Sequence, residues 1–223
     1  MDIDFFRDAS QEAPGISLAT VGHDEDHANA NALVARRYSA RGYTSTRLST
    51  RNEEALTVCT ARQGERIVGT VAVRFDSASG FNADATFFDD MQELRATGLR
   101  ICEFSRLAVD EDAADNKRVL ARLFHLAYLH GHRLGACDLL VIEVNPRHVS
   151  FYRRLLGFTV LSGPRLNARV NAPSVLLMMD MRRGAEWVAM YGGNPALAST
   201  TRMLYPYFYS ASEEAEVLAK LRQ

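Results

Sequence analysis

Lysine is nearly absent from the chain. Among 223 residues only Lys117 and Lys220 occur, so arginine supplies almost all of the 26 basic side chains. These are balanced by 27 acids, for a formal net charge of −1, which excludes a global electrostatic pull toward nucleic acid or an anionic membrane. Cysteine is equally sparse. Cys59, Cys102 and Cys137 are odd in number, far apart and set among apolar residues. They read as buried thiols in a reducing compartment rather than a disulfide framework, and a cytoplasmic location is the expectation. No stretch approaches the ~20 apolar residues of a membrane-spanning helix. The start, Met1 to Phe5, is acidic and lacks the apolar run of a signal peptide. His23 and His27 stand one helical turn apart, yet three acids lie between them and no third ligand is near, so no metal site is expected.

What is present suits a single mixed domain, with 47% hydrophobic and 24% charged residues. Residues 1–15 read as a mobile leader, 16–182 as the domain and 183–223 as a helical C-terminal extension packed on it. Alternation predicts a strand at 16–21, and apolar residues at helical spacing predict a helix over 23–41, ended at Gly42. Two strands, 56–62 and 66–76, face each other across a Gln63-Gly64-Glu65 turn. A short helix is expected around 87–95 and the longest over 116–134, with Val119, Leu120, Leu123, Phe124, Ala127 and Tyr128 on its buried face. An apolar strand at 137–144 and a helix opened by Asn145-Pro146 follow. Then come a strand at 158–161, a basic loop over 162–173 with Arg165 and Arg169, and a last strand at 174–181. Sequential strand pairing plus one strand–helix–strand crossover gives an α/β fold with a mixed central sheet flanked by helices.

The stretch from Ile101 to Asp110 is the least ordinary. It is apolar at both ends but carries Glu103, Ser105 and Arg106 in the middle. Taking a charge out of water costs several kcal/mol, on the order of the whole stability of a small element, unless it is paired. Strict alternation would point Glu103 and Arg106 to opposite faces. A β-bulge near Ser105 would bring them to one face, and that is the prediction. A surface strand with two unrelated solvated charges is the competing reading. The preceding strand closes on another such pair, Arg74 and Asp76, which share a face.

The element order, with the segment Asn145-Pro146-Arg147-His148 leading to Phe151-Tyr152 and Gly157-Phe158, resembles the GNAT acyltransferase fold. Glu103-Phe104-Ser105-Arg106 is similar to the Glu-x-Ser-Arg strand of acyl-homoserine lactone synthases, which share that fold. Together with Arg41-Gly42-Tyr43, Gly69-Thr70, Arg74-Phe75-Asp76 and Val170-Asn171-Ala172-Pro173, these motifs look like the FeeM-type N-acyl amino acid synthases. The resemblance covers roughly residues 16–182. It implies an enzyme that joins a long-chain acyl group to the amine of an amino acid. In one respect the chain departs from GNAT enzymes that use coenzyme A. Where these carry a glycine-rich pyrophosphate loop, residues 110–118 hold four acids and no glycine. With the family resemblance, this implies acyl carrier protein as partner and donor. The acyl group would arrive as a phosphopantetheine thioester, with no permanently bound cofactor.

The roles implied are these. Glu103 is the candidate base, directly or through a water, in a partly dry cleft that raises its pKa. Arg106 either pairs with Glu103 or grips the acceptor's carboxylate, which Arg74 could do equally well, and Asp76, on the same face as Arg74, is placed with it as a substrate contact. A backbone N–H near Leu107, in the stretch running to Val109, would face the thioester oxygen. Tyr152 is the candidate acid for the leaving thiolate, or simply core. Asn145 binds backbone where the central strands part, and His148 caps its helix or lines the cleft. Arg165 and Arg169 meet the carrier's acidic surface or merely solvate a loop. Two alternatives stand beside this reading. One is an acyl-homoserine lactone synthase, disfavoured because the only tryptophan is Trp187. The other is an acyl-binding module without turnover.

Overall fold

The computed structural model describes residues 15–21, 24–43 and 55–223. The expected leader over 1–14, His23 and the polar stretch 44–54 lie outside the described residues. Strands β1 (Ile16–Thr20), β2 (Leu56–Gln63), β3 (Arg66–Phe75), β4 (Ile101–Val109), β5 (Leu139–Val144), β6 (Thr159–Asn167) and β7 (Ala172–Asp180) form one sheet in the order β1-β2-β3-β4-β5-β7-β6. Every neighbouring pair is antiparallel except β4 and β5, which the single crossover makes parallel. The mixed sheet expected from the element order is therefore present.

Helices cover both faces. On one face lie α1 (Asp24–Ser39), through Leu33 and Val34, and α2 (Asp84–Ala96), through Phe87, Met91 and Leu94. On the other lies α3 (Asn116–Tyr128), whose six expected core residues are all buried. Each large apolar side chain fully buried there contributes about 1.5–3 kcal/mol. The backbone beyond Tyr128 continues to Leu134 as π-helical turns, so the long helix ends where expected but winds more loosely.

Helix α4 (Val149–Leu156) follows a short 3₁₀ turn over Pro146–His148. Asn145 caps that turn, its side chain accepting from the Arg147 N–H at 3.1 Å. His148 makes no side-chain cap, which corrects one of its two expected roles.

The basic loop expected over 162–173 is also corrected. Strand β6 runs through to Asn167, with register irregularities around Ser162. The strand carries Gly163-Pro164, a pair typical of turns. At a sheet edge, however, a proline costs no ladder bond and a bulge absorbs the misfit.

The C-terminal helices α5 (Met181–Tyr191), α6 (Ala198–Thr201) and α7 (Ala211–Leu221) pack on the α3 side, and Leu204, Tyr205 and Phe208 belong to the main core. His125, wholly buried on α3, fastens this extension. Its Nδ1 accepts from the Tyr209 N–H at 2.8 Å, so Nε2 carries the proton toward Glu214 Oε2 at 3.0 Å. Phe208 stacks on the imidazole at 4.9 Å, while Arg122 and Arg133 each bind a neighbouring glutamate, Glu213 and Glu214. Burial, against the pull of Glu214, holds the His125 pKa below its ordinary value. A proton on Nδ1 would break the bond to Tyr209.

The unfolded chain therefore takes up a proton near pH 6.5 that the folded chain refuses. Stability is full above that pH and falls as pH drops, by up to about 1.4 kcal/mol per unit. Between pH 7.5 and 5.5 the urea midpoint should fall in wild type and fall less in His125→Gln. His130 and His148 are depressed in the same direction, so the difference between the two proteins is the measure. Equal slopes would remove His125 from the account.

Candidate active site

Strands β4 and β5 pair only from Ile101 to Glu103 and from Leu139 to Val141. Beyond Glu103 they part. The cause is a bulge in β4. Ala72 of β3 sits opposite Ser105, but Thr70 sits opposite Ala108, so β4 spends one extra residue there. Arg106 takes up that residue with φ +55°, a left-handed conformation unusual for a side chain of this size. The predicted bulge is thus found. Its consequence is that Glu103 and Arg106 line one cavity.

That cavity, about 320 Å³, passes through the opening between the strands and has two unlike ends. Toward α3 and α4 it is apolar, walled by Leu107, Val109, Leu120, Phe124, Phe151 and Tyr152. Toward α1 and the β6–β7 hairpin it is polar, with Glu103, Arg106, Asn82, Glu143, Asn167 and Arg169. The alternation of β5 makes the division: Leu140, Ile142 and Val144 pack into the α3-side core, and Glu143 faces the other way.

Glu103 is 1% exposed. Its Oε2 accepts from the Asn82 N–H at 2.9 Å and from Asn82 Nδ2 at 2.8 Å, and its Oε1 accepts from the Ala83 N–H at 2.9 Å. Burial drives its pKa up, and these three bonds with the nearby Arg74 guanidinium only partly offset that. Asn82 extends the network, because its Oδ1 accepts from Arg169 Nη1 at 2.6 Å. Arg169 Nη2 in turn lies 3.8 Å from Glu143 Oε2. A polar chain thus runs from β4 through the loop before α2 and the β6–β7 turn to β5.

The other anticipated residues divide. Tyr152 lines the cavity, packed edge-on against Phe124 and Phe158 at 6.2 and 5.7 Å; burial raises its pKa and keeps it protonated. Leu107, Val109, Asn145 and His148 also line it. Asn145 binds backbone as expected, but on β7, donating from Nδ2 to the Pro173 carbonyl at 3.3 Å. Burial, then Arg41 and Arg147, pull the His148 pKa down to about 4, so the ring is neutral at pH 7.

Arg74 and Asp76 are not in the cavity wall. Arg74 sits opposite Glu103 in register, 6% exposed. Asp76 is held in two contacts by Arg95, at 2.8 and 3.0 Å, which corrects its placing as a substrate contact. Arg165 likewise pairs with Asp90 of α2 at 2.8 Å, and Arg169 turns into the site rather than solvating a loop. Sequence reasoning passed over Glu143, Asn82 and Asn167. Glu143 had a visible signal: one carboxylate near the end of an apolar strand, two residues before the Asn145-Pro146 turn. Asn82 had none, since it is an ordinary loop residue until the fold sets it under Glu103.

A sheet of this topology, parted at its two parallel strands over a cleft with a polar and an apolar end, defines a GNAT-type N-acyltransferase. The N-acetyltransferase from Staphylococcus aureus Mu50 shares the fold, with a TM-score of 0.52 and 14% identity over 75% of this chain and 99% of its own. So does the CoA-dependent acyl-homoserine lactone synthase BjaI, solved with SAM and isopentyl-CoA, with a TM-score of 0.51 and 16% identity over 85% and 90%. More narrowly, the family model described as N-acyl amino acid synthase FeeM matches residues 29–180, and the chain belongs to that family. FeeM itself, an N-acyl amino acid synthase from uncultured soil microbes, matches in structure with a TM-score of 0.71 and 23% identity over 78% of this chain and 94% of its own. No curated protein matches the chain in sequence. Among the described residues no helix is long and apolar enough to cross a membrane.

Proposed function

We propose that this N-acyltransferase takes a long-chain acyl group as a phosphopantetheine thioester from acyl carrier protein and joins it to the amine of an amino acid. The observation that carries the choice of donor is the start of α3, where coenzyme A enzymes of this fold hold pyrophosphate. Here the chain's own groups fill it. Asp115, at φ +53°, accepts from the Arg118 N–H at 3.0 Å; Asp110 accepts from the Asp112 N–H at 3.2 Å; and the Ala114 N–H is given to Gln63 at 3.1 Å. Burial pushes the Asp110 carboxyl up, but Arg66, the Asp112 N–H and Arg36 outweigh it and keep it ionised. A pyrophosphate would meet fixed carboxylates instead of open N–H groups.

Two or three missing charge-assisted contacts, at 1.4 kcal/mol per tenfold, set the expected donor preference at about 100-fold or more in kcat/KM for the acyl carrier protein over acyl-CoA of the same chain. The assay is purified protein with either donor and a pool of amino acids, read by mass spectrometry. Equal or faster turnover of acyl-CoA would overturn the donor assignment. Lactone formed from S-adenosylmethionine, or binding without product, would turn the reading to the other two activities the sequence allows.

In this reading the acyl chain lies in the apolar end and the amine enters from the polar end. Glu103, which has one of its roughly four acceptor positions left, takes the amine's proton directly or through a water. The amine nitrogen attacks the thioester carbon, a C–N bond forms and the C–S bond breaks. At the bulge, a backbone N–H near Leu107 is freed from the ladder and meets the oxyanion. Arg106, turned into the cavity by its left-handed backbone, receives the acceptor's carboxylate. Tyr152 donates a hydrogen bond to the departing sulfur.

A further inference from the structure

Glu143 is the second carboxylate of the cavity, and it is held half open. Its side chain is 7% exposed. Oε1 accepts from Asn167 Nδ2 and from Ser174 Oγ, both at 2.6 Å. Oε2 is buried and has no hydrogen-bond partner among the described residues. The nearest guanidinium nitrogen, on Arg169, stands at 3.8 Å, beyond hydrogen-bond reach. Asn167 is itself braced, accepting from the Arg169 N–H at 2.9 Å, so the carboxylate cannot turn freely to satisfy its second oxygen.

A buried carboxylate oxygen left bare is costly, because it has lost water without gaining a donor. A small group with hydrogen-bond donors would repair it, and a cationic N–H donor most strongly, because bonds to an ionised acceptor are strongest when the donor is charged too. Glu103 does not offer the same opening, since its two oxygens already accept three N–H bonds. We propose that Glu143 Oε2 is the docking point for the acceptor's ammonium group, a role that rests on the acyl-transfer reading above. Glu143 lies one strand over from Glu103 and two residues further along, on the same polar face. An ammonium held there sits between the carboxylate that binds it and the one that deprotonates it.

The balance is simple. The ammonium gives one proton to Glu103, and the neutral nitrogen keeps an N–H bond to Glu143. The C–N bond forms, the C–S bond breaks, and the nitrogen's second proton leaves with the sulfur as thiol. Glu103 then returns its proton to solvent. Glu143 gains no proton in the cycle, so its loss should weaken acceptor binding more than it slows chemistry.

The test uses the full chain, the amino acid that wild type acylates fastest, and that amino acid's α-hydroxy acid, which lacks the ammonium group. In Glu143→Gln the acceptor KM should rise at least about tenfold, while kcat and the donor KM stay within about threefold. The hydroxy acid should inhibit wild type at least about tenfold more weakly than the amino acid binds, and that gap should close in the variant. An unchanged acceptor KM in a folded variant overturns the proposal. If the variant does not fold, the wild-type comparison decides alone, and a hydroxy acid that binds as well as the amino acid overturns it. If wild type acylates no amino acid, the acyl-transfer reading fails by itself. Calorimetric titration of the same amino acids then decides: binding at least about tenfold weaker in the variant supports the docking role, and equal or absent binding rejects it.

Discussion

Replacing Glu103 by Gln is expected to lower kcat by about 10²–10⁴-fold, the range a positioned general base contributes. The position explains the size. Glu103 stands at the last paired rung of β4 and β5, at the vertex of the opening, which in the proposed reaction is where the thioester carbon and the amine meet. Burial raises its pKa toward the range in which a carboxylate takes a proton from an ammonium usefully.

The sign of the pH dependence follows. The base must be ionised, so wild-type kcat should fall as pH drops through a pKa above the ordinary carboxylate value, and the Gln variant should lose that limb. A structural cost accompanies the change. Gln keeps one oxygen for an N–H donor but turns an amide N–H₂ toward Asn82 or Ala83. A bond to a charged acceptor is worth about 1.5–3 kcal/mol, so some drop in Tm is expected. Thermal melting therefore belongs beside the kinetics. A folded variant that keeps a tenth of wild-type kcat and the same acid limb would reduce Glu103 to an anchor for the loop before α2.

The second large effect concerns stability. Gly157, which ends α4, should not tolerate Ala. Its φ of +76° costs an L-residue roughly 1–2 kcal/mol. A Cβ there would also lie 2.0 Å from Trp187 Cζ3 and 2.2 Å from Cη2. The indole cannot easily withdraw, because Arg183 lies over it at 4.7 Å and Tyr205 packs edge-on at 5.3 Å. Overpacking of this kind adds roughly 1–3 kcal/mol. A loss of about 3 kcal/mol should lower Tm by about 6–12 °C in a chain of this size.

The contact is also testable on its own. Trp187→Ala removes the ring, so Gly157→Ala in that background should cost only the backbone share, and the two changes should be non-additive by 1 kcal/mol or more, roughly. Strict additivity would mean that the ring already yields at no cost. The link matters for function because α4 carries Phe151 and Tyr152 into the cavity wall. The C-terminal extension, through Trp187, thus helps fix the site's apolar end.

Much of this was legible beforehand, and for a physical reason. Local chemistry is written in local sequence. Apolar spacing placed the helices and six buried residues of α3, and Gly42 and Gly64 both adopt positive φ at the turns where they were read. The charges of Glu103 and Arg106 could share a cleft only if β4 bulged, and it does, at Arg106 itself. The acid-rich, glycine-free start of α3 was legible as well, and there Asp110, Asp115 and Gln63 take up backbone N–H groups of the segment.

Other features depend on which distant segments meet, and no local pattern carries that. β6 ran past Gly163-Pro164 because it is an edge strand, which only the sheet order reveals. Asp76 was lost to Arg95, a partner nineteen residues away that a short helix brings back. Asn82, Asn167, Arg169 and Ser174 are unremarkable polar loop and strand residues until the fold gathers them around two buried carboxylates. The sequence by itself determined the scaffold, the bulged strand and one buried carboxylate of the cavity, Glu103, because alternation and the cost of burying charge act within a few residues. Tertiary structure alone decided which polar groups surround that carboxylate and left Glu143 half open, because hydrogen-bond partners are chosen by distance in space.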